Sequence, residues 1–286
     1  MSGHAPLRAG VCGWPVAHSR SPLIHGYWLK SLGVDGVYER FPTPPGTFSA
    51  FAASIGVDRL VGANVTLPHK EAAFAACGEL TAAARGAGAV NTLWREGGAL
   101  CGDNTDVAGL LANLDAEAPE WRRQGGEAIV LGAGGAARAV VYALLSQGCG
   151  RVTIVNRTFA RAEALAASFG AAAEAVAWEA LPGRLAGAGL LINATSLGMS
   201  GQAAVEIDLK PMKGAAVVAD IVYVPLQTPL IAAARRRDLR AVGGLGMLLH
   251  QAAPAFARWF GTRPTVTPQL RALVEADIAA GGKETA

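Results

Sequence analysis

Three short stretches in the first third of the chain carry side chains of the kinds that bind a small polar ligand and move its protons. The first is Asn64-Val65-Thr66-Leu67-Pro68-His69-Lys70. An amide and a hydroxyl precede a lysine placed just after a proline, the order expected where a strand ends and a helix begins. A cation at a helix N-terminus is electrostatically unfavourable, which eases loss of its proton and suits a proton-transfer residue. An exposed lysine after a turn is the plain alternative. The second stretch pairs Asn91-Thr92 with Asp103-Asn104-Thr105-Asp106. Such residues bind hydroxyls, but they also form turns and caps, so either aspartate could be the N-cap of the following helix. The third is His18-Ser19-Arg20-Ser21-Pro22. Two hydroxyls near a helix start suit a carboxylate. Ser21 as an N-cap with Pro22 at the first helical position explains the same residues equally well.

A fourth stretch points to a dinucleotide. Ala128-Ile129-Val130-Leu131 reads as a buried strand, Gly132-Ala133-Gly134-Gly135-Ala136-Ala137 follows at once, and a helical pattern continues to Gln147. The spacing is G-x-G-x-x-G with Ala137 in third place, where any small residue allows close helix–strand packing. The first two glycines let the backbone turn and approach a pyrophosphate, and the helix N-terminus offers N–H groups to it. The next strand ends in Val155-Asn156-Arg157-Thr158, with Arg161 one turn later. NAD-binding chains usually place Asp or Glu there for the ribose hydroxyls, whereas a guanidinium forks onto a 2′-phosphate. NADP is therefore the expected cofactor, and Thr158 is expected to cap the next helix and offer its hydroxyl to the same phosphate. Arg138 is a weaker candidate. Exposed solubilising charge is the alternative for Arg157 and Arg161.

The elements that must hold these residues follow from the pattern of apolar runs. Strands are expected over residues 7–12, 36–41, 60–65 and 89–94, the last forming a hairpin with 99–101. Helices are expected to start near Ser21, Gly46 and Lys70. After a helix through Leu110 and Leu114, residues 115–126 read as a polar linker ending in Gly-Gly. Strands 152–155, 189–193 and 215–219 and a helix over 159–169 continue the glycine loop's rhythm, and two helices close the chain from about Gly244. Strands alternating with helices indicate an α/β protein with mostly parallel sheets. A length of 286 residues suits two domains at roughly 150 residues each.

Composition excludes several classes. Hydrophobic residues make up 51% and charged residues 16%, too apolar for a disordered chain. The net charge of +3 is small, and the one dense basic run, Arg235-Arg236-Arg237, reads as a helix end or a solvated face rather than a nucleic-acid surface. Mean hydropathy is +0.30, yet residues 186–205, one of the longest charge-free stretches, are broken by polar residues and fall short of the ~20 apolar residues of a membrane span. Met1 to Gly10 lacks a signal-peptide core, so a cytoplasmic location without membrane association is expected. Cys12, Cys77, Cys101 and Cys149 make no C-x-x-C pair and read as small buried hydrophobes. The five histidines lack metal-ligand spacing, so no metal is expected.

Taken together the motifs resemble the shikimate dehydrogenase family. They include Ser19-x-Ser21-Pro22-x-x-His25, Asn64-Val65-Thr66-x-Pro68-x-Lys70, Gly88-Ala89-Val90-Asn91-Thr92 and Gly102-x-Asn104-Thr105-Asp106. The glycine loop, Asn156-Arg157-Thr158 and Asn193-Ala194-Thr195-Ser196-x-Gly198-Met199 follow in the family's order. Asp220-x-x-Tyr223-x-Pro225-x-x-Thr228-Pro229 and Gly246-Met247-Leu248-x-x-Gln251-Ala252 complete the set. Gly26 departs from the Asn often found after the histidine, which puts the helix start there in question. The resemblance implies reversible reduction of 3-dehydroshikimate to shikimate by NADPH, on the route to chorismate and the aromatic amino acids. It implies that Lys70 and Asp106 are the catalytic pair and that Ser19 and Ser21 hold the substrate carboxylate. Thr66, Asn91, Asp106 and Gln251 contact the ring hydroxyls, and Tyr223 lines the site near the nicotinamide. For the cofactor it implies Gly132, Gly134, Gly135 and Ala136 at the pyrophosphate, Asn156, Arg157, Thr158 and Arg161 at the 2′-phosphate, and Gly244 and Met247 near the nicotinamide. It further implies a substrate domain of residues 1–104 completed by the helices of 245–286, an inserted Rossmann-like NADP domain at 105–244, and a monomer or homodimer. Competing expectations are a quinate/shikimate dehydrogenase of quinate breakdown, a non-catalytic NADP-binding sensor, and another dehydrogenase on the same plan, such as one acting on a folate.

Overall fold

The computed structural model describes residues 5–123 and 127–281. The Gly-Gly end of the expected linker lies outside these, as do residues 1–4 and 282–286. The chain packs into two compact units, Met1–Thr105 with Leu249–Ala286, and Asp106–Leu248. Thr105 falls with the first because its backbone N–H and hydroxyl both bond the Asn91 side chain there, at 2.8 and 3.1 Å.

The first unit opens with β1 (Leu7–Gly13), α1 (Ser21–Ser31), β2 (Gly36–Pro42), α2 (Phe48–Ser54), β3 (Leu60–Val65) and α3 (Lys70–Ala76). Then come β4 (Glu79–Leu80), α4 (Ala82–Ala87) and the hairpin β5 (Thr92–Glu96) and β6 (Ala99–Asp103). Its sheet runs β2-β1-β3-β5-β6-β4. β1 is parallel to β2 and β3, whereas β5 is antiparallel to β3 and β6. Parallel strands buried on both faces read as continuous apolar runs, and Cys12, Ala63, Val65 and Leu93 accordingly sit in one core with Ile55 of the α2 exit.

Three expectations change here. The strand expected from 89 starts at Thr92, because residues 89–91 form a connection: Val90 N–H donates to Lys70 O and Asn91 N–H to Asp103 O. The helix expected near Gly46 starts at Phe48, since Gly46 has φ of 88°, outside the helical range. The short β4 and α4 were hidden in an Ala-rich stretch. Thr81 accepts from Ala84 N–H and left-handed Gly88 closes the helix, so α4 is delimited by its caps rather than its apolar pattern.

The second unit runs α5 (Thr105–Glu117), β7 (Glu127–Leu131), α6 (Gly135–Ser146), β8 (Val152–Val155), α7 (Phe159–Ala167), β9 (Ala173–Val176) and α8 (Leu181–Arg184). It continues with β10 (Ala188–Asn193), β11 (Val217–Asp220), α9 (Pro229–Arg235) and β12 (Arg240–Val242), and the chain ends in α10 (Leu245–Phe260) and α11 (Pro268–Ala279). The sheet order is β12-β11-β10-β7-β8-β9 and every pairing is parallel. Numbered within the unit this is 3-2-1-4-5-6 read from β9, the doubly wound order, whose direction reverses between β7 and β10. Ile129, Leu131, Leu191 and Val218 pack one face.

The expected linker over 115–126 needs correcting. α5 continues to Glu117, and Trp121 is buried with its indole N–H donating to Asp115 at 2.8 Å. Polar composition concealed that anchor. β9, α9 and β12 were also not expected; β9 is alanine-rich and β12 is three residues long. The arginine run does end a helix, α9, and is exposed. Of the cysteines, Cys12 and Cys101 are buried, but Cys77 and Cys149 are half-buried. Among the described residues no helix is long and apolar enough to cross a membrane.

Candidate active site

In the first unit, the C-terminal ends of β1, β3 and β6 and the start of β5 share one edge of the sheet. Register puts Val11 beside Asn64, Asn64 beside Thr92, and Thr92 beside Asp103. A buried hydrogen-bond chain runs along that edge. Tyr38 O–H donates to Asn64 Oδ1 at 2.6 Å, and Asn64 Nδ2 donates to Asn91 O and Thr92 Oγ1, both at 3.1 Å. Thr92 Oγ1 donates to Asn91 Oδ1 at 3.0 Å and lies 3.2 Å from Thr105 Oγ1. Thr105 Oγ1 is 3.4 Å from Gln251 Oε1, on α10. Neutral donors and acceptors that satisfy one another fix rotamers at little desolvation cost. The structure thus brings Asn91 and Gln251, two of the expected ring contacts, into one pre-oriented network. Of the other members, Asn64, Thr92 and Thr105 stand in the polar stretches that sequence singles out, whereas Tyr38, on a separate strand, carries no local signal.

The flanking residues sit on the loops around this edge. Thr66 is half-buried on the turn after β3, and its place against Gly13 leaves no room for a side chain there. Lys70 is the first residue of α3, behind His69, which provides no side-chain cap. His69 is itself pinned, its Nε2 lying 2.6 Å from Thr43 O and its ring stacked on Phe48. Of the two readings of Ser21, the N-cap fails: Arg20 holds that position and Ser21 is the first helical residue, its side chain buried. Ser19 Oγ accepts from Ser21 N–H at 3.3 Å. α1 starts at Ser21 despite Gly26, beside which an added methyl would meet open space. One turn on, His25 is buried and stacked on Tyr38 with ring centroids 3.9 Å apart, and among the described residues neither ring nitrogen has a hydrogen-bond partner. Burial pushes its pKa down to about 3, so the ring is neutral. Neither Asp103 nor Asp106 is the expected N-cap: the first ends β6 and the second lies buried in the first turn of α5.

In the second unit, the glycine loop joins β7 to α6. Gly132 has φ of 114°, and a Cβ there would lie 2.9 Å from Ala194 O, so only glycine fits. A Cβ on Gly134 would meet nothing within 4 Å, so the loop faces open space. Gly134 is the N-cap of α6 with no side-chain cap, leaving the first-turn N–H groups of Gly135 and Ala136 directed outward. An open cradle of backbone donors at a helix N-terminus, at the sheet's reversal point, fits a pyrophosphate. Beyond β8, Arg157, Thr158 and Arg161 are exposed, and Asn156 Nδ2 donates to Thr158 O at 2.9 Å. Thr158 does stand at the N-cap of α7, but its hydroxyl makes no cap bond. Among the described residues no carboxylate follows β8 before Glu163, which matches a 2′-phosphate better than a free ribose. Tyr223 is half-buried on the loop after β11, Met247 is buried at the start of α10, and Gly244 is pressed against Ile221 O.

One buried carboxylate went unassigned. Asp220 ends β11 and accepts from Asn193 Nδ2 at 2.9 Å, Val222 N–H at 3.0 Å and Thr228 Oγ1 at 2.6 Å. Burial outweighs these bonds and raises its pKa to about 6. Asn193, Asp220 and Thr228 all lay within motifs quoted from the sequence, but residue type alone gave them no task.

Family models cover most of the chain. A shikimate dehydrogenase substrate binding domain matches residues 11–93, a shikimate / quinate 5-dehydrogenase matches 117–225, and a shikimate 5′-dehydrogenase C-terminal domain matches 244–273. The chain is 58% identical to a shikimate dehydrogenase (NADP(+)) of Methylocella silvestris over 278 residues, 97% of this chain and 99% of that one. The fold is similar to shikimate 5-dehydrogenase from Thermus thermophilus in complex with NADP(H) and shikimate, with TM-score 0.81, 38% identity and coverage of 96% of this chain and 99% of that one. It is also similar to quinate dehydrogenase from Corynebacterium glutamicum in complex with NAD, with TM-score 0.86, 28% identity and coverage of 95% and 99%.

Proposed function

Because the chain belongs to the shikimate dehydrogenase family, and is thus an NADP-dependent oxidoreductase, we propose that it reduces 3-dehydroshikimate to shikimate, reversibly, on the route to chorismate and the aromatic amino acids. The observation that carries this reading is the network of Asn64, Asn91, Thr92, Thr105 and Gln251, whose bonds fix the amides at one sheet edge beside Lys70. A polyhydroxylated ring is held by such pre-oriented amides and hydroxyls, and a carboxylate can be held by donors such as the hydroxyls of Ser19 and Ser21.

Bound NADPH supplies the hydride. Lys70, as its ammonium, gives a proton to the carbonyl oxygen, and in the reverse direction the neutral amine takes the hydroxyl proton. Asp106 binds a ring hydroxyl and completes the catalytic pair. Thr66, Asn91 and Gln251 hold the remaining hydroxyls, and Tyr223 bounds the nicotinamide side. Gly132, Gly134, Gly135 and Ala136 cradle the pyrophosphate through backbone N–H groups, while Asn156, Arg157, Thr158 and Arg161 take the 2′-phosphate. Gly244 and Met247 line the nicotinamide end. On this reading the substrate domain is residues 1–104 with 245–286, and the NADP domain is 105–244. The reaction belongs in the cytoplasm, a reducing compartment that suits four free cysteines.

Initial rates with shikimate or quinate, each with NADP or NAD, test the proposal. Turnover concentrated in the shikimate–NADP pair is expected. Comparable quinate turnover, or preference for NAD, would move the protein to quinate breakdown, a reading that Arg157 disfavours. NADP binding without turnover in any pair would make it a sensor.

A further inference from the structure

The buried carboxylate at the end of β11 stands where two cofactor-facing segments of the second unit are supported. On one side Asp220 Oδ1 accepts from Asn193 Nδ2, and Asn193 organises the loop after β10. Its Oδ1 accepts from the N–H and hydroxyl of Thr195 at 3.1 and 2.6 Å, and its Nδ2 also donates to Leu197 O at 3.0 Å. Thr195 Oγ1 in turn accepts from Leu197 N–H at 3.0 Å. That loop is the floor of the glycine turn, since a Cβ on Gly132 would meet Ala194 O and the Thr195 side chain within 3.1 Å. On the other side Asp220 holds the loop after β11 through Val222 N–H and Thr228 Oγ1. Gly244 rests directly on this loop, against Ile221 and Val222. Asn193, Asp220 and Thr228 are each no more than 2% exposed.

We infer that Asp220 is a positioning residue for NADP, tying the floor of the pyrophosphate loop to the backbone that supports the nicotinamide end. This rests on the assignment of Gly132 and Gly244 to the cofactor. Asp220 acts through Asn193, Thr195 and Val222 and touches no ligand itself. Three donors converge on it from two loops, and none is a formal cation, so removing the acceptor leaves all three unsatisfied in a buried place. The bonds are concentrated on the two loops against which Gly132 and Gly244, which admit no side chain, are packed.

Calorimetric titration of NADP into the full-length protein separates the possibilities. Asp220→Ala is expected to raise Kd for NADP by about tenfold or more, the weakening that loss of one charged hydrogen bond gives. Asp220→Asn keeps an acceptor for Asn193 and Val222 and can donate to Thr228, so its Kd should stay within about threefold of wild type. Thr153→Val removes a buried hydroxyl elsewhere in the unit, and its Kd should stay within about twofold even where its thermal stability falls as far. Folded Asp220→Ala binding NADP as wild type does would overturn the inference, as would Thr153→Val weakening binding equally. If Asp220→Ala does not fold, Thr228→Val removes one of the three bonds. A rise in its Kd of about threefold supports the role, and an unchanged Kd overturns it. Wild-type protein that fails to bind NADP would instead sink the cofactor assignment itself.

Discussion

The two sheets present their loop-bearing edges by different means. In the first unit the edge consists of side chains that hold one another, from Tyr38 through Asn64, Thr92 and Asn91 to Thr105 and Gln251. In the second, the edge proposed to face the pyrophosphate is backbone, and Gly132 and Gly244 leave no room for side chains there, while Gly134 opens onto free space. The polar cluster around Asp220 lies under the loops rather than on them. On the proposed function, the difference follows from what each edge would recognise. A ring carrying several hydroxyls needs donors and acceptors at specified places, which only oriented side chains supply. A pyrophosphate needs several N–H groups at close range, which a glycine turn and a helix start supply.

If this contrast holds, substitutions at the two edges should fail differently. Lys70→Ala should give the largest effect, a loss in kcat of about 10²–10⁴-fold, while calorimetry still finds NADP bound with wild-type affinity. Gly132→Val should do the reverse, weakening NADP by about tenfold or more, because a β-branched residue at φ of 114° is strained and its Cβ meets Ala194 O. Equal loss of NADP affinity in both variants would erase the distinction.

The edges also differ in how they answer to pH. His25 in the first unit is held at about 3 against an ordinary 6.5, so the stability it contributes is present above 6.5 and is lost as pH falls toward 3. Lowering the pH from 6.5 to about 5 should cost about 2 kcal/mol through this residue. His25→Phe should flatten that slope in chemical denaturation while keeping the stack, since among the described residues the ring nitrogens have no partners to lose. An unchanged acid slope in this variant would contradict the account of a neutral buried imidazole. Asp220 runs the other way. Its pKa is raised from 3.8 to about 6, so its contribution is full below 3.8 and is lost as pH rises through 6. Going from pH 7 down to about 5 should recover about 1 kcal/mol in wild type and nothing in Asp220→Asn. Within the second edge, Arg157→Ala should weaken NADP by about threefold to fivefold and leave NAD nearly unchanged, as expected for an exposed guanidinium that bonds a phosphate. Equal weakening of both cofactors would show that Arg157 serves the fold rather than the 2′-phosphate.

The two edges were unequally legible in the sequence. The glycine loop could be read directly, because its signal is local: Gly132, which admits no side chain, and Gly134 stand at fixed spacing between a strand and a helix. The alternation of parallel strands and helices could also be read from that rhythm, but not the strand order, since β9 and β12 were too short or too alanine-rich to see. The first unit's network could be read only in part. Asn64, Asn91 and Thr92 announced themselves by type, but their bonds to Tyr38, Thr105 and Gln251 join positions far apart in the chain, and pairing of that kind leaves no trace in local pattern. Ser21 illustrates the same limit. Sequence allowed it to be a cap or a ligand contact, and only the position of Arg20 at the N-cap decided against the cap. Trp121 was misjudged because one buried aromatic anchors a stretch whose remaining residues look like a linker.

The central claim is that Lys70 protonates a ring ketone while hydride arrives from NADPH. Supplying 3-dehydroshikimate with NADPH deuterated at the transferring carbon, and analysing the product by mass spectrometry and NMR, tests it directly. The account predicts shikimate carrying deuterium at the former ketone carbon with wild-type protein, and almost none formed with Lys70→Ala under the same conditions. Product without the label, or labelled product formed equally fast by Lys70→Ala, would contradict it.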